Sequence, residues 1–378
     1  MFKKLISIIL SFIFFITPVW AAPTLELTAK SAYLIEESTG EVLYAQNEHD
    51  QLRPASVTKV MTILLIMEAI DSGKISLDDM VGCSEHARKM GGSQIWLNET
   101  EKLSVNDMLK AICVVSANDC CVAMSEFIAG SEEGFVEMMN NRAKELGMND
   151  TTFKNCHGID EDGHVTSAHD IAIMSRELLK HKKIFDYTTI WMDTLRDGKS
   201  QLVNTNKLIR FYEGANGLKT GSTSISKYSL SATAKRNDMQ LIGVIMCAPT
   251  GNDRFEDAKK LLDYGFANYS LVILDEENTS VGMTNVERGE SKFVEGIIEN
   301  KVTLLGAKGL NKNVERKVDF YTLKAPIQKG EKIGDIRYIK DGEEIARENI
   351  VAGNSVEKIK FLTILNNLIN VWVKVGRD

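Results

Sequence analysis

The stretch from Val60 to Ile70, VMTILLIMEAI, contains one charged residue, Glu68. Drawn as a helix, its apolar side chains Val60, Met61, Ile63, Leu64, Leu65, Ile66 and Met67 cover every side. An ordinary surface helix carries one apolar stripe, whereas a helix that is apolar all round must be enclosed by other elements. The chain therefore needs a core with packing on both sides of this rod. Its 378 residues, 44% apolar and 26% charged, can supply one; composition and length fit a folded protein of two or three domains.

Other segments frame the rod. Ala32 to Gln46 reads as a hairpin turning at Ser38-Thr39-Gly40, and helices are predicted at Val105–Val114, Cys120–Ile128, Gly134–Leu146, Ala168–Leu179 and Asp253–Tyr269. Tyr228–Ala234 and Met239–Cys247 read as strands. Strands at the ends with helices between them indicate an α/β or α+β domain. Beyond Leu271 the texture changes to short strand candidates at Val272–Leu274, Lys301–Leu305, Lys317–Tyr321 and Ile333–Tyr338. The expected division is 1–21 export signal, 22–272 catalytic domain, 273–355 small β-rich domain and 356–378 amphipathic helix.

Both ends point to a membrane. Lys3 and Lys4 precede an apolar run from Leu5 to Ile16, and Val19-Trp20-Ala21 offers small residues where a signal peptidase reads. From Lys360 to Val375, a helix would gather Lys360, Thr363, Asn366, Asn367, Asn370 and Lys374 on one arc, opposite Leu362, Leu365, Leu368, Ile369 and Trp372. That pattern suits a helix lying in the headgroup region; the competing reading packs it on its own domain. The expected location is the outer face of the cytoplasmic membrane. A net charge of −7 gives no electrostatic footprint for nucleic acid. The six cysteines form no CxxC pair and read as buried thiols. His157, His164 and His169 sit in a Gly- and Asp-rich stretch that reads as structured loop; no metal and no cofactor is expected.

Three motifs carry the chemistry. Ser-x-x-Lys should occur about once or twice by chance in this length, and it occurs at Ser56–Lys59, Ser224–Lys227 and Ser355–Lys358. Only the first opens the buried rod. There Ser56 and Lys59 share a face one turn apart, and a lysine held in low dielectric can lose its proton and act as a base. Ser116-Ala117-Asn118 follows an apolar run and starts a helix, so a hydroxyl and an amide meet on one loop; a plain capping role is the alternative. Lys219-Thr220-Gly221 occurs once and is expected to begin a strand leading to Tyr228–Ala234, with a lysine and a hydroxyl for a carboxylate and a glycine that admits a substrate backbone. Ser56 precedes Ser116 by 60 residues, and Asn118 precedes Lys219 by 101.

This order resembles the active-site serine penicillin-recognising enzymes, whose known signature is these three motifs. With Leu52-Arg53-Pro54-Ala55, the Asn155-Cys156-His157-Gly158 loop and Asp253-Arg254, the chain is similar to the low-molecular-mass penicillin-binding proteins that act as serine-type D-alanyl-D-alanine carboxypeptidases. The resemblance implies a β-lactamase-like α/β (α+β) serine-transferase fold with a small C-terminal all-β domain and a terminal amphipathic helix. It implies that Ser56 attacks the carbonyl between two terminal D-alanines of a peptidoglycan stem peptide, with Lys59 as base and Ser116 relaying a proton. Asn118, Lys219, Thr220, Gly221, Ser222 and Arg254 would bind substrate, the backbone N–H groups of Ser56 and Ser222 forming the oxyanion hole. For Arg254, a solvated helix-start arginine is the competing reading. Penicillin should acylate Ser56 as well. Two features depart from the family pattern: Ser222-Thr223-Ser224-Ile225-Ser226 is rich in hydroxyls, and Cys120-Cys121 adjoins the second motif. Of the rival readings, a class A β-lactamase would need a deacylating glutamate such as Glu145, and a silent scaffold would lack reactivity with penicillin.

Overall fold

The computed structural model describes residues 25–308, 314–360 and Thr363. The expected export signal therefore lies outside the described residues, as do residues 361–362 and 364–378 of the expected terminal helix.

A five-stranded antiparallel sheet organises the first domain. Its spatial order is Val42–Gln46, Ser31–Glu36, Met239–Ala248, Lys227–Arg236 and Ala215–Thr223. Both faces are covered at its centre, where Ser31–Glu36 and Met239–Ala248 are buried almost throughout. Leu34, Leu230, Leu241 and Ile245 face the helix Gly251–Asn268 through Leu261, Leu262 and Phe266. Tyr33, Ile35, Ile242 and Val244, one residue out of phase, face the helical body built around the apolar rod. The rod is the helix Lys59–Asp71, preceded by a 3-10 turn at Ala55–Thr58. Every residue from Lys59 to Met67 is buried in it.

The third motif sits differently from its expected place. Lys219-Thr220-Gly221 lies inside its own strand, Ala215–Thr223, which pairs in antiparallel register with Lys227–Arg236 across a short hairpin. The hydroxyl-rich segment supplies that turn. Ser226 Oγ accepts from the Thr223 backbone N–H at 3.1 Å, and Thr223 Oγ1 accepts from the Ser226 N–H at 2.9 Å. Polar residues within a strand hid it from periodicity.

The second domain is a six-stranded sheet around Val294, Ile298, Ile333, Ile336, Tyr338 and Ile350. Tyr269–Asp275, paired with Val302–Ala307, joins the two domains. Leu305 packs in the core of the first and Leu274 against that of the second, so the boundary expected after residue 272 cuts through a strand. The far boundary also moves. Val356 bridges Ile327, Lys358 bridges Gly289, and Val356 is buried among the β-domain side chains. Residues 356–358 thus complete the β-domain instead of opening a helix. Among the described residues no helix is long and apolar enough to cross a membrane.

Candidate active site

The turn that carries Ser56 is held from three sides. Thr58 Oγ1 donates to the Ala55 carbonyl at 2.8 Å and lies 2.8 Å from His164 Nε2. His164 Nδ1 accepts from the Lys154 N–H, so its proton sits on Nε2 and points at Thr58. Burial keeps this imidazole neutral, pushing its pKa down to about 4. Gly158, at φ +87°, presses on the turn from a second side; a Cβ there would stand 1.9 Å from the Ala55 carbonyl oxygen. From the third side comes Gly221, whose added Cβ would meet Pro54 O, Val57 N and Ser56 N at 2.8, 2.9 and 3.0 Å. Ala55 itself takes φ 49°, and Ser116 takes φ 66°. Such left-handed conformations in residues with a side chain cost about 1–3 kcal/mol and gather at functional sites.

Lys59 is fully enclosed. Its Nζ lies 3.0 Å from Ser56 Oγ, 2.6 Å from Asn118 Oδ1 and 2.6 Å from the His157 carbonyl. Burial lowers its pKa. A neutral amine has two N–H bonds and one lone pair. The two carbonyl-type oxygens accept the N–H bonds, which leaves the lone pair for the Ser56 proton. Asn118 is fixed in turn, its Nδ2 donating to the Gly91 carbonyl at 2.7 Å. Ser116, two residues earlier, is buried, and its Oγ has no hydrogen-bond partner among the described residues.

The strand Ala215–Thr223 is the outermost of its sheet, which leaves one side of its backbone for an extended peptide. Lys219 is buried in it, its Nζ donating to the Thr220 carbonyl at 2.9 Å. Burial first, then the neighbouring Lys59 charge, pull its pKa down to about 7. Thr220 Oγ1 bonds Thr205 Oγ1 at 2.7 Å, and Ser222 is exposed one residue beyond Gly221. Arg254 is buried, which excludes the solvated reading; its Nη1 donates to the Gly221 and Ser229 carbonyls at 3.2 and 3.3 Å. Among the described residues, Lys219 and Arg254 thus have only neutral oxygens as hydrogen-bond partners, an arrangement that suits an incoming anion.

Sequence reasoning missed Asp119, whose carboxylate accepts from the backbone of Ile95, Leu97 and Cys120 and so holds the loop beside Asn118. It missed Thr58–His164 as a brace, although both residues stood in view. Cys120 and Cys121 are buried, with burial pushing the Cys121 thiol up to about 12, so neither offers a ready thiolate. Glu145 is largely exposed in an ion pair with Arg142 at 3.2 Å and is no buried base.

A serine beside an enclosed amine, at the head of a buried helix and facing a sheet edge, defines a serine acyltransferase of the penicillin-recognising class. Comparison with known proteins makes this narrower. Residues 18–250 match the D-alanyl-D-alanine carboxypeptidase family, and residues 269–358 match the C-terminal domain of penicillin-binding protein 5. The D-alanyl-D-alanine carboxypeptidase DacF of Bacillus subtilis is 46% identical over 92% of this chain and 90% of its own length. Penicillin binding protein 5 from Haemophilus influenzae superposes with a TM-score of 0.74 at 32% identity, covering 88% of this chain and 98% of that one. Penicillin-binding protein D2 from Listeria monocytogenes, solved with ampicillin bound, does so at 0.60 and 32%, covering 65% of this chain and all of its own. The chain belongs to the D-alanyl-D-alanine carboxypeptidase family and is an enzyme of that activity.

Proposed function

We propose that the activity runs through an acyl-enzyme on Ser56, formed with peptidoglycan stem peptides that end in D-alanyl-D-alanine. The observation that carries this reading is the 3.0 Å approach of Ser56 Oγ to an amine whose two N–H bonds are already engaged. Lys59 Nζ takes the Ser56 proton as Oγ bonds to the carbonyl carbon. The N–H groups of Ser56 and Ser222 receive the oxyanion, and such a donor is worth about 10²–10³ in rate in a model protease. The amide C–N bond then breaks, and the leaving D-alanine nitrogen receives a proton through the Ser116 hydroxyl. Water hydrolyses the ester, with Lys59 again as base. Asn118 holds the peptide amide, Gly221 lets its backbone approach, and Lys219, Thr220 and Arg254 receive the terminal carboxylate. A β-lactam presents a strained amide and a carboxylate in similar relation, so penicillin acylates the same oxygen.

Mass spectrometry after benzylpenicillin tests the assignment. The wild type gains one penicilloyl group and releases D-alanine from a pentapeptide; Ser56→Ala does neither. An adduct retained on Ser56→Ala would move the nucleophile elsewhere.

The basic and apolar start and the amphipathic end of the sequence support a further reading. The mature chain begins near Ala22, outside the cytoplasmic membrane, and its C-terminus rests on the membrane surface. A purified mature chain starting at Met1, or membrane binding unchanged by deletion after Lys360, would overturn the respective half.

A further inference from the structure

His49, Asp150 and His169 come from three separate segments, yet each offers a metal-ligating atom and these atoms all lie within 4.8 Å of one another. His49 follows the second strand of the sheet, Asp150 follows the helix Glu132–Glu145, and His169 stands in the first turn of the helix Ala168–Lys180. The imidazole centroids of His49 and His169 lie 4.6 Å apart with the rings tilted by 40°, and His49 Nδ1 lies 2.8 Å from Asp150 Oδ2.

The surroundings hold these groups in place. The buried carboxylate of Asp170 lies 3.0 Å from His169 Nδ1 through Oδ1. Its other oxygen accepts from the Asp150 N–H at 2.8 Å and from Thr151 Oγ1 at 2.7 Å. That carboxylate fixes the His169 ring and leaves Nε2 for a ligand, the outer-shell arrangement that metal-binding histidines use. Ser167 Oγ donates to Asp150 Oδ2, and the His169 N–H donates to the Glu48 carbonyl, which ties the His49 segment to the helix.

We propose that His49, Asp150 and His169 bind one divalent ion of the zinc class, outside the acylation site. Two imidazole nitrogens and one carboxylate oxygen are a donor set that zinc takes, with water in the fourth position. Tetrahedral ligands at about 2.1 Å from an ion stand about 3.4 Å apart, so closure asks for movement of about an ångström. The ion replaces the proton shared by His49 and Asp150, which leaves to solvent. Six residues separate His49 from Ser56, and the Leu52–Thr166 bridge involves one of them. The ion would therefore clip the segment leading to the nucleophile onto the helix Ala168–Lys180. No step of the acylation uses it.

The test uses the purified chelator-treated chain with ZnCl₂, and with CoCl₂ as a spectroscopic probe. Equilibrium dialysis should give one zinc per chain, thermal unfolding should shift upward, and cobalt should develop the visible bands of a four-coordinate site. His169→Gln and His49→Gln, the latter at a surface position, should each weaken binding at least tenfold while melting normally without metal. Zinc bound equally by the wild type and the His49→Gln/His169→Gln variant, or no saturable binding by the wild type, would overturn the proposal. Penicillin labelling of Ser56 should persist in both variants, so failure here is separable from failure of the acyl-enzyme assignment.

Discussion

Gly221→Ala isolates the contact between the sheet edge and the nucleophile. The added Cβ would lie 2.8, 2.9 and 3.0 Å from Pro54 O, Val57 N and Ser56 N, where ordinary contact starts at 3.4 Å. All three neighbours are backbone atoms of the turn that carries Ser56, so no flexible side chain can swing aside. Relief requires the strand and the turn to part by about half an ångström, with overpacking strain of about 1–3 kcal/mol. A misplacement of about 1 Å can cost about 10² in rate. Half of that should cost roughly tenfold in acylation, since the Ser222 N–H shifts relative to Ser56 Oγ as the gap opens. The assay is the second-order rate of labelling by a fluorescent penicillin, with thermal unfolding measured in parallel. Gly82→Ala is the control, because nothing lies within 4 Å of the Cβ it adds. A Gly221→Ala enzyme that labels within twofold of wild type and melts at the same temperature would refute the reasoning.

Two further outcomes follow from buried charge. Lys219, with its pKa drawn down to about 7, offers a cation to a substrate carboxylate below that pH and loses it above. KM for a peptide ending in D-alanyl-D-alanine should therefore rise as pH climbs through about 7, while the corresponding methyl ester shows no such limb; identical profiles would remove Lys219 from carboxylate binding. His164 has its pKa lowered from 6.5 to about 4 by burial, so between those values the unfolded chain binds a proton that the folded chain refuses. Its contribution is fully present above about pH 6.5, is lost as pH falls toward about 4, and amounts to at most about 3 kcal/mol. Urea midpoints against pH should fall less steeply in His164→Gln, and an equally steep fall would exclude this imidazole as a source.

The residues of the proposed acylation site were legible because Ser56, Lys59, Ser116, Asn118 and Lys219 stand in three short motifs, each with a distinctive local context. The order of Ser56, Ser116 and Lys219 pointed to one chemistry before any coordinate did. What the sequence concealed depends on distance along the chain. Asp119 reads as a helix-start aspartate until the backbone of Ile95 and Leu97 folds against it. His157 and His169, grouped with His164 by sequence, part company in space: His157 lends its carbonyl to Lys59, and His169 joins His49 and Asp150. In the β-domain, Glu343–Ala352 escaped notice because it opens with EEIAREN. Its charges stand in adjacent pairs, Glu343-Glu344 and Arg347-Glu348, which breaks the alternation that a half-buried strand otherwise shows.

The apolar rod and the proposed base, Lys59, are one device. A base in this position needs an amine that gives up its proton near neutrality, and no acidic residue can be spent beside it without restoring the charge. Enclosure is the remaining means, and it has to exclude water without leaving the amine unsatisfied. The helix meets both demands. Its apolar side chains pack into the core, and Lys59 in its first turn is buried with them. Lys59 takes the His157 carbonyl at 2.6 Å, while Thr62, three residues on, donates to the Cys156 carbonyl at 2.5 Å. Two successive carbonyls of the Asn155–Gly158 loop are thereby spent on one helix face, and Gly158 is driven against Ala55. The loop that encloses Lys59, and so lowers its proton affinity through burial, also fixes the turn that carries Ser56. Substitutions in this loop should consequently disturb acylation and stability together, whereas those on the Lys219 strand that spare Gly221 can alter substrate binding alone.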